Sequence, residues 1–298
     1  MAYYLERQER FSEGIQRIGL EQNKMAIDGL ANDEDPHGGV HKARKHFKKL
    51  RALYRLIRDE AGAEVYRHGN TFYRDLGRRL ASLRDITSLI EAVALLQKKT
   101  GTMAENEACC LLLALLEGER QAILQGHTEE DSLLEQAIFQ LRENRQSFLQ
   151  LPLRDDCLPE IIAALRRVYQ RGYKEYHKAL GTPSVEDMHE WRKRVKYLWY
   201  QYRLLKQASP RVFRAYKKVA NALSDILGDY HDLALLNEKM EEQAGQLPEE
   251  TRQLLHELIG AHLGRLLDES RRLGAIFYAE TPEAFTRRMR STLKGNLF

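Results

Sequence analysis

One pattern of residues is written twice in this chain: His41-x-x-Arg44-Lys45-x-x-Lys48-x-Leu50-x-x-x-Tyr54-Arg55-Leu56, and again His189-x-x-Arg192-Lys193-x-x-Lys196-x-Leu198-x-x-x-Tyr202-Arg203-Leu204. The copies align without a gap, His189 standing 148 positions after His41. The spacing acquires a meaning on an α-helix. At about 100° per residue, His41, Arg44, Lys45, Lys48 and Arg55 fall within roughly a 100° arc, while Phe47, Leu50, Tyr54 and Ile57 gather opposite. The second copy divides in the same way, with His189, Arg192, Lys193, Lys196 and Arg203 against Val195, Leu198, Tyr202 and Leu205. Each copy therefore predicts an amphipathic helix with one side for a core and a basic, not mixed-charge, polar side. Residues 41–58 hold eight Lys or Arg and no acid. Solvated helices ordinarily interleave signs, because like charges one turn apart cost roughly a few tenths of a kcal/mol per pair. An anion from outside the chain is expected to offset the repulsion.

The rest of the chain carries helical periodicity too, with no strand-like alternation bounded by turn signals. The seven prolines fall mostly where helices start or break. Ser209-Pro210, Leu247-Pro248 and Thr281-Pro282 place proline at a first helical turn, and Ser184-x-x-Asp187 reads as a capping pair before the second basic helix. The repeat extends beyond its opening motif. Arg17 to Lys24 matches Arg167 to Lys174, and Leu80-Ala-Ser-Leu-Arg84-Asp85-Ile86 matches Leu227-Gly-Asp-Tyr-His231-Asp232-Leu233. The expectation is an all-α fold of about ten helices, two pseudo-symmetric antiparallel bundles arising from an internal duplication, with halves at 1–152 and 153–298. At 298 residues, 43% hydrophobic and 30% charged, the chain has enough apolar material for a core and too little net charge, +4, for disorder.

Three cysteines without metal spacing fit a reducing, cytoplasmic compartment. The first residues lack the apolar stretch of a signal peptide, and the longest apolar run, Ala108 to Leu116, falls far short of the roughly 20 residues that cross a bilayer. No membrane partner is expected.

Arg offers a planar fork of donors, Lys a mobile point charge and His a donor that titrates, all suited to phosphate oxygens. From His41 to Arg55 the row runs about 21 Å, longer than a single phosphate. Arg167, Arg171, Lys174 and Lys178 form another basic stripe before the second motif, while Arg78, Arg79, Arg84, Arg214, Lys217 and Lys218 fit the row and an ordinary charged surface equally well. Metal binding at His41 or His189 is disfavoured, since Arg and Lys beside them repel a divalent cation. His231-Asp232 has the form of a metal dyad in phosphohydrolases, but its counterpart is Arg84-Asp85. There is no glycine-rich phosphate loop, no acidic pair for magnesium and no evident nucleophile with its base. Tyr54, Tyr197, Trp199, Tyr200 and Tyr202 raise base stacking as an alternative, although Tyr54 and Tyr202 lie on the apolar arc.

An all-helical chain with two copies of His-x-x-Arg-Lys-x-x-Lys, each followed by an Arg-Asp or His-Asp element, resembles the conserved histidine α-helical domain, or CHAD, over about residues 8–290. The resemblance implies a non-enzymatic, stand-alone module that binds inorganic polyphosphate in a basic groove, in the cytoplasm at polyphosphate granules, with no cofactor and no metal. Carried over by position, the implied contacts are His41, Arg44, Lys45, Lys48, His189, Arg192, Lys193 and Lys196. Arg51, Arg55 and Arg203 would extend the rows, Arg171 would join them, and Lys24 and Lys174 would close the groove from the preceding helices. Two departures suggest unequal halves: Trp199 stands where the first half has Arg51, and Leu80-Ala81 replaces Leu227-Gly228. The alternatives are a metal-dependent phosphohydrolase using His231 and Asp232, and a nucleic-acid-binding module.

Overall fold

A computed structural model of the protein, described over residues 3–32, 35–80, 82–125 and 128–294, contains only helices as regular elements. The first half comprises α1 (Phe11–Leu30), α2 (Pro36–Leu56), α3 (Arg58–Ala61), α4 (Ala63–Arg79), α5 (Ser82–Gln97), α6 (Met103–Gln125), α7 (Thr128–Glu143) and α8 (Arg145–Leu149). The second comprises α9 (Leu158–Ala179), α10 (Val185–Leu204), α11 (Pro210–Glu242), α12 (Glu249–Phe277) and α13 (Pro282–Leu293), with a 3-10 turn at Ala244–Gln246. The all-α class agrees with the sequence, but thirteen α-helices among the described residues exceed the expected ten. The excess comes partly from α3 and α8, which are single turns at corners and too short to display a period.

Local chemistry accounts for several helix starts. Ser184 Oγ accepts from the Asp187 amide at 3.1 Å while the Asp187 carboxylate accepts from the Ser184 amide at 3.1 Å, closing a capping box before α10. Pro210 and Pro282 open α11 and α13, where a missing N–H costs nothing. Pro248 stands one residue outside α12, as its N-cap.

The packing repeats across the halves: α1 and α4 lie against α2 as α9 and α11 lie against α10, and α2 and α10 also pack on each other. The apolar sides read from the motifs are the ones buried. Phe47, Leu50, Tyr54 and Ile57 of the first copy and Val195, Leu198, Tyr202 and Leu205 of the second are each at most 2% exposed. The cores do not divide at residue 152. One runs through α1, α2, α4 and α9 to α11, and a second joins Val93 and Leu96 of α5 and Leu112 and Leu116 of α6 to Leu236 and Met240 of α11 and Ile259 of α12. An N-terminal strap ties the two basic helices: Leu5 N–H donates to Leu204 O at 2.9 Å, and Tyr3 Oη donates to Lys49 O at 2.8 Å.

The placement of α2 against α1 depends on a glycine contact. A Cβ added to Gly39 would lie 2.1 Å from the Gly29 carbonyl oxygen, a backbone atom that cannot turn aside. We expect Gly39→Ala to force the two helices apart at a cost of about 1–3 kcal/mol. Gly118→Ala, on a helix with nothing within 4 Å of the new Cβ, should instead stabilise by up to about 1 kcal/mol. Urea denaturation of the two variants measures this difference in sign.

Candidate functional site

Where α2 and α10 pack together, cations from both motifs enter one another's field. Burial, followed by the charges of Arg203 and Lys45, pushes the Lys49 ammonium down to about 8. Burial also lowers Lys196; Arg192, Arg203 and Lys45 act in the same direction, against the Asp225 carboxylate 4.0 Å away. Lys45 of α2 and Lys196 of α10 are thus electrostatic neighbours across the two halves. Aromatic rings support the charges. Lys196 and Arg203 lie 4.4 Å and 4.7 Å from the Trp199 ring centroid, and Tyr3 sits between Arg203 at 5.2 Å and Lys49 at 5.7 Å.

About two turns before Lys196 on α10, His189 lies against His231 of α11 with ring centroids 4.3 Å apart. The Nδ1 atom of each ring is buried with no hydrogen-bond partner among the described residues. Burial, then His189, Arg192 and Lys193, push the His231 imidazole down to about 4, and burial with Lys193 lowers His189, so both rings are neutral at pH 7. Arg192 reaches over the same helix. A Cβ on Gly228 would lie 3.0 Å from Arg192 Nη2 and 3.4 Å from its Cζ, so the glycine makes room for the guanidinium. Its counterpart Arg44 donates from Nη1 to the Leu80 carbonyl at 3.0 Å, so the two arginines end within one position of each other in the repeat. His41 is half-buried on α2, while Lys45 and Lys48 are exposed.

The second helix does not have the purely basic polar side expected of it. Glu190, one turn before Lys193 and Arg194, forms ion pairs with both, the second at 2.6 Å, and Glu186 lies 3.9 Å from Lys193. Acids at i−3 and i−4 escaped notice because the motif counts only its own positions. The stripe on α9 is likewise divided: Arg167 pairs with Asp59 at 2.9 Å and Lys178 with Glu175 and Asp187. Lys24 pairs with Asp28 at 2.7 Å, both exposed, and Lys174 is exposed.

Arg55 and Arg203, which match in the repeat, line different clefts. Arg55 donates to the Arg51 carbonyl at 2.8 Å, and its guanidinium lies 3.8 Å from the Tyr197 centroid. It lines a narrow cleft with Arg58, Arg167, Arg171 and Arg194. Arg51 turns to α4, where Nε donates to Asn70 Oδ1 at 3.2 Å. Arg203 lines an open groove between α10 and α11 with Trp199, Arg214, Lys217 and Lys218. Lys49 was missed in the sequence because it lies off the motif's arc, although its position four residues after Lys45 was a usable signal. The side chains of Arg84 and Asp85 lie outside the described residues. Among the described residues no group of three or more His, Cys, Asp or Glu is arranged to hold a metal ion, and no helix is long and apolar enough to cross a membrane.

Fold and site together define an all-helical protein with a duplicated cationic helix face. The CHAD domain profile matches residues 19–241, and the chain belongs to the CHAD-domain family. Solved structures share the fold, and two of them show how widely. One is PptA from Streptomyces chartreusis, at 11% identity and a TM-score of 0.62, over 91% of this chain and 100% of that one. The other is the CHAD domain from the plant Ricinus communis, at 17% identity and a TM-score of 0.56, over 99% of this chain and 95% of that one. No relative among curated proteins matches the sequence.

The paired histidines bind protons less readily in the folded chain than in the unfolded one. Their contribution to stability is therefore present above about pH 6.5 and is lost as pH falls towards 4. We expect the melting temperature to drop between pH 6.5 and 4.5 more steeply in the native chain than in His231→Gln. Superimposable profiles in differential scanning calorimetry would mean that His231 does not resist protonation.

Proposed function

We propose that the protein binds inorganic polyphosphate, without transforming it, along the cationic track formed where α2 and α10 cross. Family membership supports a polyphosphate-related role, and one observation carries the finer reading: Lys49 and Lys196, from two matching helices that pack together, are partly buried beside Arg203 and Lys45, whose charges act with burial to lower both ammonium groups. Holding like charges together in a partly desolvated place costs free energy that an arriving polyanion returns. Polyphosphate presents a charge at every unit and no bases. Its affinity should therefore rest on charge-assisted hydrogen bonds and counterion release. His41, His189, Arg44, Arg192, Lys48 and Lys193 would add donors on either side of the crossing.

The aromatic residues favour polyphosphate over nucleic acid. Trp199 and Tyr197 already carry Lys196, Arg203 and Arg55 against their rings, so cations rather than open aromatic faces would meet the ligand. Association with polyphosphate granules follows from such binding as part of the same proposal.

The test is calorimetric titration of long-chain polyphosphate, with single-stranded RNA of equal charge and tripolyphosphate at matched salt. Lys45→Glu combined with Lys196→Glu should weaken polyphosphate binding on the order of 100-fold and make its salt dependence shallower, with helical content unchanged. Unaltered affinity in that variant, or equal affinity for RNA, would overturn the reading. Phosphate release in the presence of magnesium, manganese or zinc that is abolished by His231→Ala would replace binding with hydrolysis.

A further inference from the structure

Beyond the crossing of α2 and α10, the cations continue into the open groove between α10 and α11, which encloses about 790 Å³. The two helices run antiparallel here. Lys196 meets Asp225 at one end, and at the other Lys206 is lowered by burial and then by Lys217, Arg203 and Arg214. Among the described residues, Arg203, Arg214, Lys217 and Lys218 form no ion pair with an acid. This is the condition that distinguishes them from Lys193, Arg194 and Arg167, whose charges are met within the fold.

The first half is built differently. In the register that sets Leu80 against Leu227, Arg214, Lys217 and Lys218 correspond to Arg67, Asn70 and Thr71, so three cations become one. Asn70 is also occupied as the acceptor for Arg51, the residue that stands where the second half has Trp199. Replacing that arginine with an indole leaves α10 without the corresponding side-chain bridge to α11, and its ring becomes part of the groove wall.

We propose that this groove is a second segment of the polyphosphate track, engaged only by chains long enough to run on from the crossing, so that the C-terminal half discriminates by chain length. The inference rests on the polyphosphate reading above. A linear polyanion held at Lys45 and Lys196 would reach Arg203 about 10 Å further along α10, and from there Lys217, Lys218 and Arg214 lie across the groove. Each additional unit that meets an unpaired cation releases further counterions. Asp225 stands beside Lys196 at the entrance, its carboxylate accepting from Asn221 Nδ2 at 2.6 Å, and opposes passage of the anion.

The test compares Arg214→Gln/Lys217→Gln/Lys218→Gln with Lys45→Glu/Lys196→Glu, each titrated with tripolyphosphate and with long-chain polyphosphate at the same salt. The groove variant should lose on the order of tenfold in affinity for long chains and keep its affinity for tripolyphosphate. Asp225→Asn should bind long chains more tightly than the native chain. Equal loss for both ligands in the groove variant would overturn the inference, because the groove would then belong to the primary site. No loss for either ligand, while the crossing variant fails to bind, would overturn it and leave the polyphosphate reading standing. If neither variant lost affinity, both proposals would fall together.

Discussion

Packing α2 against α10 brings two cationic helices together, and the site depends on that contact. Their apolar sides are drawn into a shared core by burial of Phe47, Leu50, Tyr54, Val195, Leu198 and Tyr202, each such side chain contributing on the order of 1.5–3 kcal/mol. With those sides committed, the polar sides have few places to go. Lys49 and Lys196 are left partly desolvated beside Arg203 and Lys45, and their ammonium groups give up proton affinity. The hydrophobic effect, which has no preference about charge, thereby stabilises a concentration of like charge that electrostatics alone would disperse.

The fold relieves this repulsion selectively. Glu190 answers Lys193 and Arg194, Asp59 answers Arg167, and Glu60 holds Arg154 at 2.9 Å, so many arginines and lysines are satisfied locally. Among the described residues, part of the charge that remains lies along the crossing and in the α10–α11 groove. A net charge of +4 over 298 residues conceals it, because the acids that balance the sum sit elsewhere. Tyr3, Tyr197 and Trp199 hold aliphatic stems and guanidinium planes in place, through contacts of about 0.5–2 kcal/mol each that limit how far the cations can separate.

The two copies of the motif form two helices of the same pattern without forming two identical sites. Arg44 ends on the Leu80 carbonyl, whereas Arg192 lies over Gly228, one position beyond the leucine that matches Leu80. Arg55 and Arg203 diverge because Arg55 finds Tyr197 across the crossing while Arg203 meets Trp199 on its own helix. The two apolar cores reinforce the coupling, since each takes residues from both halves.

Much of this was legible in the sequence. The 3.6-residue period, the apolar arcs, the Ser184 cap and the prolines at α11 and α13 are local properties, set by chemistry within a turn or two, and the chain alone determined them. Family membership was likewise readable from the doubled motif. The pairing of Lys193 with Glu190 was in principle visible too, at a spacing of three, but a motif shared between copies draws attention away from residues that are not shared. What only the tertiary structure decided was which side chains come together: Lys45 with Lys196, Lys49 with Arg203, the neutral rings of His189 and His231, and Arg203 with Arg214 and Lys217 in one groove. The periodicity of a helix specifies the direction of a side chain about its own axis. The crossing of α2 with α10, fixed by long-range burial, decides what stands on the other side.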